Sequence, residues 1–186
     1  SGVNLLAIYR YYSEYYNNHY AYSLSEHSRL NDEMGGYVGA EINRLRKWRF
    51  SVYADGFRGG YDTWAQADFL PSDIYGMNWR MRVRRQSGRD TYAFRYQFTC
   101  ELPQWRFRTQ LDANMVKSDT YKGKTDAFDA AHGWGHGFSV SQDVEYRLER
   151  VPIVLQMRVQ AFDARLWYNR IYAYENDVLY AYSFPN

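Results

Sequence analysis

Three places in this sequence carry residue types that could do chemistry. The first is His132-Gly133-Trp134-Gly135-His136, with Asp126 and Asp129 just upstream. Imidazole and carboxylate together can hold a divalent metal. The flanking glycines suit an open loop as readily as a folded ligand loop, so the cluster reads as an exposed loop, and no metal or other cofactor is expected. The second is His27 with Ser25 and Ser28. A serine hydrolase needs a histidine beside its nucleophile and a third group to orient it. Ser and His are common loop residues, so no catalytic residue is assigned and the chain is not expected to be an enzyme. The third is a set of arginines at alternate positions: Arg80, Arg82 and Arg84, then Arg95, then Arg106 and Arg108. On neighbouring strands they form a basic ladder. Such a ladder can line a lumen that selects anions or acidic sugars, because charged rings set pore selectivity. It can equally be a structural network in which each Arg pairs with an Asp or Glu of the next strand, and that is the preferred reading. Phosphate loops, paired-cysteine metal motifs and nucleotide fingerprints are absent from the sequence.

Alternate spacing requires strands, and the sequence supplies them. Trp105–Asp112, Phe138–Arg147 and Ile153–Ala161 each alternate apolar and polar residues for eight or more positions, a period of two. Trp48–Asp55, Tyr75–Arg85 and Thr91–Thr99 do the same. Val3–Tyr12 alternates weakly, with Leu6 and Ile8 in the same parity as Arg10, and Tyr37–Asn43 is a short candidate. Ile171–Phe184 is also strand-like, but its apolar parity flips near Glu175-Asn176-Asp177, which calls for a bulge or turn. Ser13–Gly36, Lys117–Gly133 and Asp163–Asn169 read as long connections, the first with a strand extension around His19–Ser25. Arg44–Lys47, Glu101–Pro103 and Glu149–Pro152 read as short ones. Short and long connections fall on opposite ends only if a further strand lies near Thr63–Phe69, so one is expected there. The total is about ten to twelve strands, joined as antiparallel neighbours, in a single region over 1–186.

Composition bounds the class. Hydrophobic residues make up 46% of the 186 residues, ordinary for a globular chain, but aromatics reach 19% and include 20 Tyr. Tyr and Trp pair an apolar body with a polar tip and suit a boundary between grease and water. Net charge is +2, from 23 basic and 21 acidic residues, which argues against a dedicated nucleic-acid binder. Cys100 is alone, so there is no internal disulfide. No run of about eighteen apolar residues occurs, which excludes an ordinary transmembrane helix but not a transmembrane barrel. The opening Ser1-Gly2-Val3 leads within a few residues into strand sequence, so a fragment or processed piece of a longer chain is expected.

Alternation does not say which face is inside. A soluble barrel or sandwich puts apolar residues inward and acts as a binding module with an apolar interior. A membrane barrel does the reverse. Two features favour the membrane. The polar rows mix Arg with Asp112, Asp143 and Glu145, which can interlock across a lumen, and aromatics sit near strand ends at Trp48, Tyr75, Trp79, Tyr92, Trp105 and Tyr146, where interfacial girdles lie. Thr91–Thr99 and Trp105–Met115 also match the nine to eleven tilted residues a strand needs to cross the hydrocarbon. Gln142, on an apolar row, should find a partner or lie near an interface, because an unpaired amide in lipid costs roughly 1–3 kcal/mol or more. The expected fold is therefore all-β, an antiparallel transmembrane β-barrel or part of a larger one. The lipid bilayer would be its first partner, and other envelope proteins further ones.

The stretches Gly137–Arg147, Val159-Gln160-Ala161-Phe162-Asp163 and above all Arg170–Pro185 resemble the closing part of a Bacteroidetes outer-membrane family. Its members carry a helix-hairpin-helix (ComEA-like) region followed by a β-barrel. Asn31–Gly39 and Tyr53-Ala54-Asp55-Gly56-Phe57 resemble it too. The resemblance implies a cell outer-membrane location and a role in solute passage or as a scaffold for a surface complex, without catalysis. The helix-hairpin-helix region is missing here, as is a final strand after Pro185-Asn186, so the resemblance implies part of a larger barrel. The DNA-binding role suggested by the family's helical region has no residues here to carry it.

Overall fold

The computed structural model describes residues 2–13, 33–86, 88–118 and 134–164. They form nine strands: β1 (Gly2–Tyr12), β2 (Glu33–Leu45), β3 (Trp48–Phe57), β4 (Gly60–Phe69), β5 (Tyr75–Gln86), β6 (Arg89–Glu101), β7 (Trp105–Ser118), β8 (Trp134–Arg147) and β9 (Val154–Ala164). All belong to one antiparallel sheet in the order β1 to β9, each strand pairing with the next in sequence. Among the described residues β1 and β9 each pair on one side only, so the sheet is not closed by them. No helix among the described residues is long and apolar enough to cross a membrane.

The expected strand near Thr63–Phe69 is present as β4. With it, the connections following β2, β4, β6 and β8 share one rim, and all are short. We call this the turn rim. The opposite, loop rim carries the long stretches between Tyr12 and Glu33 and between Ser118 and Trp134. It also carries two tight turns, in which Gly59 (φ 91°) and Gly88 (φ 71°) take the left-handed conformation that glycine adopts without steric cost.

Two sequence expectations change. β2 is longer than Tyr37–Asn43 and runs through Gly35-Gly36, which by their tendency to break strands fell to the preceding connection. The tight turn shrinks to Arg46-Lys47, because Leu45 is still paired, with Trp48. A register shift between Ile42 and Leu45 inserts an extra residue in β2, and this bulge returns Leu45 to the face of Trp48. The described residues hold nine strands. The candidates at His19–Ser25 and Ile171–Phe184 lie outside them, as does most of the Arg170–Pro185 resemblance.

Residues that face one another across a ladder share a side of the sheet, so the register assigns every side chain to a face. One face carries Val38, Val52, Met81, Phe94, Leu111, Val140 and Val159 with the aromatics of the strand ends. The other carries the Arg, Asp, Gln and Ser rows. Burial follows the opposite rule from a water-soluble core. Leu5 is 78% exposed, Val159 61% and Met81 58%, whereas Asp62 and Ser139 are 3% exposed and Arg10 7%. In β8, Gly135, Gly137, Ser139 and Ser141 are buried, while His136, Phe138 and Val140 between them are exposed. Even the two buried apolar residues, Phe57 and Val116, lie on the polar face. Among the described residues no second layer covers either face, so side chains are buried only by one another. We call the polar face, whose side chains pack against one another, the inner face, and the apolar face the outer one.

Candidate functional site: the polar inner face

The inner face is a ladder of charge pairs linking adjacent strands. Arg82 on β5 holds Asp62 on β4 through both carboxylate oxygens, its Nε at 2.9 Å from Oδ1. Arg95 on β6 meets Asp112 directly opposite on β7 at 2.5 Å, and Gln110 donates to the other oxygen of Asp112 at 2.6 Å. Arg108 on β7 donates to Asp143 on β8 at 2.6–2.7 Å, and Arg158 on β9 donates to the same carboxylate from the other side, its Nη2 at 2.9 Å. Asp143 therefore clamps three strands. Arg106 pairs with Glu101 at 3.0 Å near the turn rim. Charge-assisted bonds of this kind are roughly twice as strong as neutral ones, and in a recess sheltered from bulk water their attraction is screened less.

Of the six ladder arginines, four are thus tied to carboxylates of a neighbouring strand. Arg80 differs. Its Nε and Nη2 both donate to Gln66 Oε1, at 3.1 and 3.0 Å, and its guanidinium lies 5.7 Å from the centre of the Trp64 ring. Arg84 stands opposite Asp62 on one side and Thr91 on the other. The network extends beyond the arginines through Gln66 and Asn78, which both donate to Asp68.

The structure adds members that the sequence reading left out. Arg10 on β1 reaches over β2 to Asp55 on β3, a pair at 3.0 Å with both side chains buried. Tyr37, Tyr53 and Trp64 stack across β2, β3 and β4 on the same face, with ring centres 5.4 and 5.6 Å apart, and Arg80 caps the stack. Parity was the signal available for Asp55, Asp62 and Arg158, each of which falls on the polar beat of its strand. Arg10 was hidden because Leu6 and Ile8 share its face.

The remaining candidates do not assemble. His136 sits exposed on the apolar face of β8, opposite Met115. Asp126, Asp129 and His132 lie outside the described residues, as do Ser25, His27 and Ser28. Among the described residues no cluster of three or more His, Cys, Asp or Glu could hold a metal.

The outer face has its own order. Along the turn rim Trp48 packs against Phe69 (4.5 Å between ring centres), Phe50 and Trp79. Trp79 continues to Tyr96, Tyr75 meets Phe98, and Trp105 meets Tyr146 at 4.5 Å. Near the loop rim Tyr92 lies 6.0 Å from Trp134, over which Lys117 sits. Arg85, Asp90, Lys117, His136 and Asp163 also fall on this face, toward the loop rim, while Gln142, farther from that rim, has the partner it needs. Thr109 Oγ1 donates to its carbonyl at 2.6 Å, and its amide donates to the Asp143 backbone oxygen at 3.0 Å. Thr63, also on this face, donates to the Val83 carbonyl.

No family model, curated protein or solved structure matches the chain.

Proposed function

We propose that this chain is wall of a transmembrane β-barrel in a bacterial outer membrane, serving solute passage or acting as scaffold for an envelope complex, without catalysis. The observation that carries the proposal is the inverted burial. Charged and small polar side chains are packed, while a continuous apolar face stays open across all nine strands. Soluble monomers rarely expose contiguous apolar patches beyond roughly 300–600 Å². A bilayer covers such a face and requires every backbone donor to be satisfied. The aromatic belt along the turn rim, with Tyr92 and Trp134 toward the loop rim, suits the two interfaces. The satisfied hydroxyl and amide groups of Thr109 and Gln142 suit a medium that offers no water. The resemblance to the Bacteroidetes barrel family points the same way. Spanning requires closure, so the strands that complete the wall come from residues outside those described or from another chain.

The inner ladder spends most of its arginines on neighbouring carboxylates, which supports a braced interior over a strongly anion-selective one. The test is fractionation of the full-length protein. Recovery in the outer membrane, extraction only by detergent, and a folded band that migrates differently after boiling are expected. Recovery as a detergent-free soluble monomer would contradict the proposal and favour the apolar-cored binding module. Reconstitution in planar bilayers then separates passage, which gives conductance, from a scaffold, which does not.

A further inference from the structure

The β2–β3 hairpin on the turn rim departs from the rest of the sheet in its charge. The bulge before it returns Leu45 to the outer face beside Trp48. The turn itself is Arg46-Lys47, with Arg46 in the left-handed conformation at φ 58°, and Arg49 follows one residue into β3. Leu70 N donates to Lys47 O at 2.8 Å, which ties the end of β4 to the hairpin tip. Between them lies an open recess of about 430 Å³ lined by Arg46, Lys47, Trp48, Arg49 and Leu70. Its polar lining is entirely cationic and its remaining walls are apolar. The ladder arginines are mostly matched to carboxylates. By contrast, among the described residues no carboxylate forms an ion pair with Arg46, Lys47 or Arg49.

We propose that this recess holds the phosphate headgroup of an anionic phospholipid, with the first part of an acyl chain lying against Trp48 and Leu45. The inference rests on the membrane reading. Trp48 belongs to the aromatic belt through its contacts with Phe69 and Trp79, so the hairpin tip projects just beyond the hydrocarbon, at headgroup level. Short connections mark the periplasmic rim of outer-membrane barrels, and the leaflet on that side is built of phospholipid. Two turn cations without carboxylate ion pairs, set over an apolar wall, match an anion carried on a hydrocarbon chain, whereas Arg49 falls on the inner face opposite Asp68 and is not counted with them. A free anion would have no use for Trp48, Leu45 and Leu70.

The test uses the full-length protein in detergent micelles, with short-chain phosphatidylglycerol, short-chain phosphatidylcholine and inorganic phosphate as probes. Binding is read by native mass spectrometry, and folding by the heat-dependent shift in gel migration. Phosphatidylglycerol should bind well ahead of phosphatidylcholine. R46Q/K47Q should weaken it by about fivefold per cation, roughly twenty-five-fold together, while retaining the heat-dependent shift, and R49Q, on the inner face, should leave binding unchanged. K117Q, a cation at the opposite rim, should leave binding unchanged. Equal binding of the two lipids, full retention in the double variant, or displacement by inorganic phosphate at concentrations equal to the lipid would overturn the site. If the wild type needs no detergent and shows no heat-dependent shift, the membrane reading itself fails, and this inference falls with it. If it folds in detergent but does not discriminate between the lipids, only the headgroup site fails.

Discussion

Arg10 and Asp55 form a buried ion pair at 3.0 Å although they lie two strands apart, and Gly35 of the intervening strand makes the crossing possible. A Cβ at Gly35 would stand 2.9 Å from Arg10 Nε and 2.9 Å from the Gly56 carbonyl oxygen. The glycine that looked like a strand breaker is therefore a window through which β1 is tied to β3. Arg10→Ala should cost about 3–5 kcal/mol, because it leaves a buried carboxylate uncompensated. Gly35→Ala should cost about 1–3 kcal/mol by crowding the same pair. Urea unfolding in micelles measures both. A double variant R10A/D55A that loses much less than the sum of its singles would establish the coupling.

Asp143 sits between Arg108 and Arg158, with its side chain 15% exposed. Removing it leaves two guanidiniums facing each other across β8. Asp143→Ala should therefore destabilise the sheet by about 3 kcal/mol or more. The pair Arg106–Glu101 has side chains 43% and 52% exposed, so Glu101→Gln should cost less than about 1 kcal/mol. Equal losses for the two variants in the same unfolding assay would mean that the ladder is not sheltered as described.

Gln142 and Thr109 satisfy one another on the outer face. Thr109→Val should cost about 1–3 kcal/mol, because it leaves the amide carbonyl without its donor, whereas T109V/Q142L should be close to neutral. A face in water would behave differently, since solvent would replace the lost hydroxyl and the single variant would be silent.

Val140 is 41% exposed near the middle of β8. Against water, Val140→Arg would be harmless. Against the hydrocarbon it should cost about 2–4 kcal/mol, falling toward zero for the same change made near a rim. Folding yield into lipid vesicles, compared between Val140→Arg and Tyr146→Arg, reads that depth dependence.

Most of the strands were legible because a single alternating sheet writes its period into the sequence, and hairpin connections leave neighbouring strands little choice of partner. β5 to β8 follow their alternation closely. The exceptions have local causes. Gly35 and Gly36 hid the first turn of β2, since glycine in a strand signals a break unless a neighbour such as Arg10 needs the space. The bulge before Leu45 shortened the expected turn. The ladder was legible as rows but not as pairs. Which carboxylate Arg82 or Arg108 meets depends on register, and the contribution of Arg158 required β9 to be placed. The inner side could not be read from alternation at all, because the pattern of a soluble sheet and that of its inverse are identical in sequence. What the structure adds is which side chains pack: Ser139 and Asp62 are buried and Leu5 is open.

In the proposed arrangement the Leu111 side of β7 faces lipid and the Gln110 side does not, although the two residues are adjacent and at nearly the same depth. A bimane label placed at Leu111→Cys or Gln110→Cys in a Cys100→Ser background, with the protein folded into vesicles, tests it directly. Brominated acyl chains should quench the label at position 111 strongly and the label at position 110 weakly. Strong quenching at 110 with little at 111, or no quenching at either, would contradict the account and place the apolar face away from the membrane.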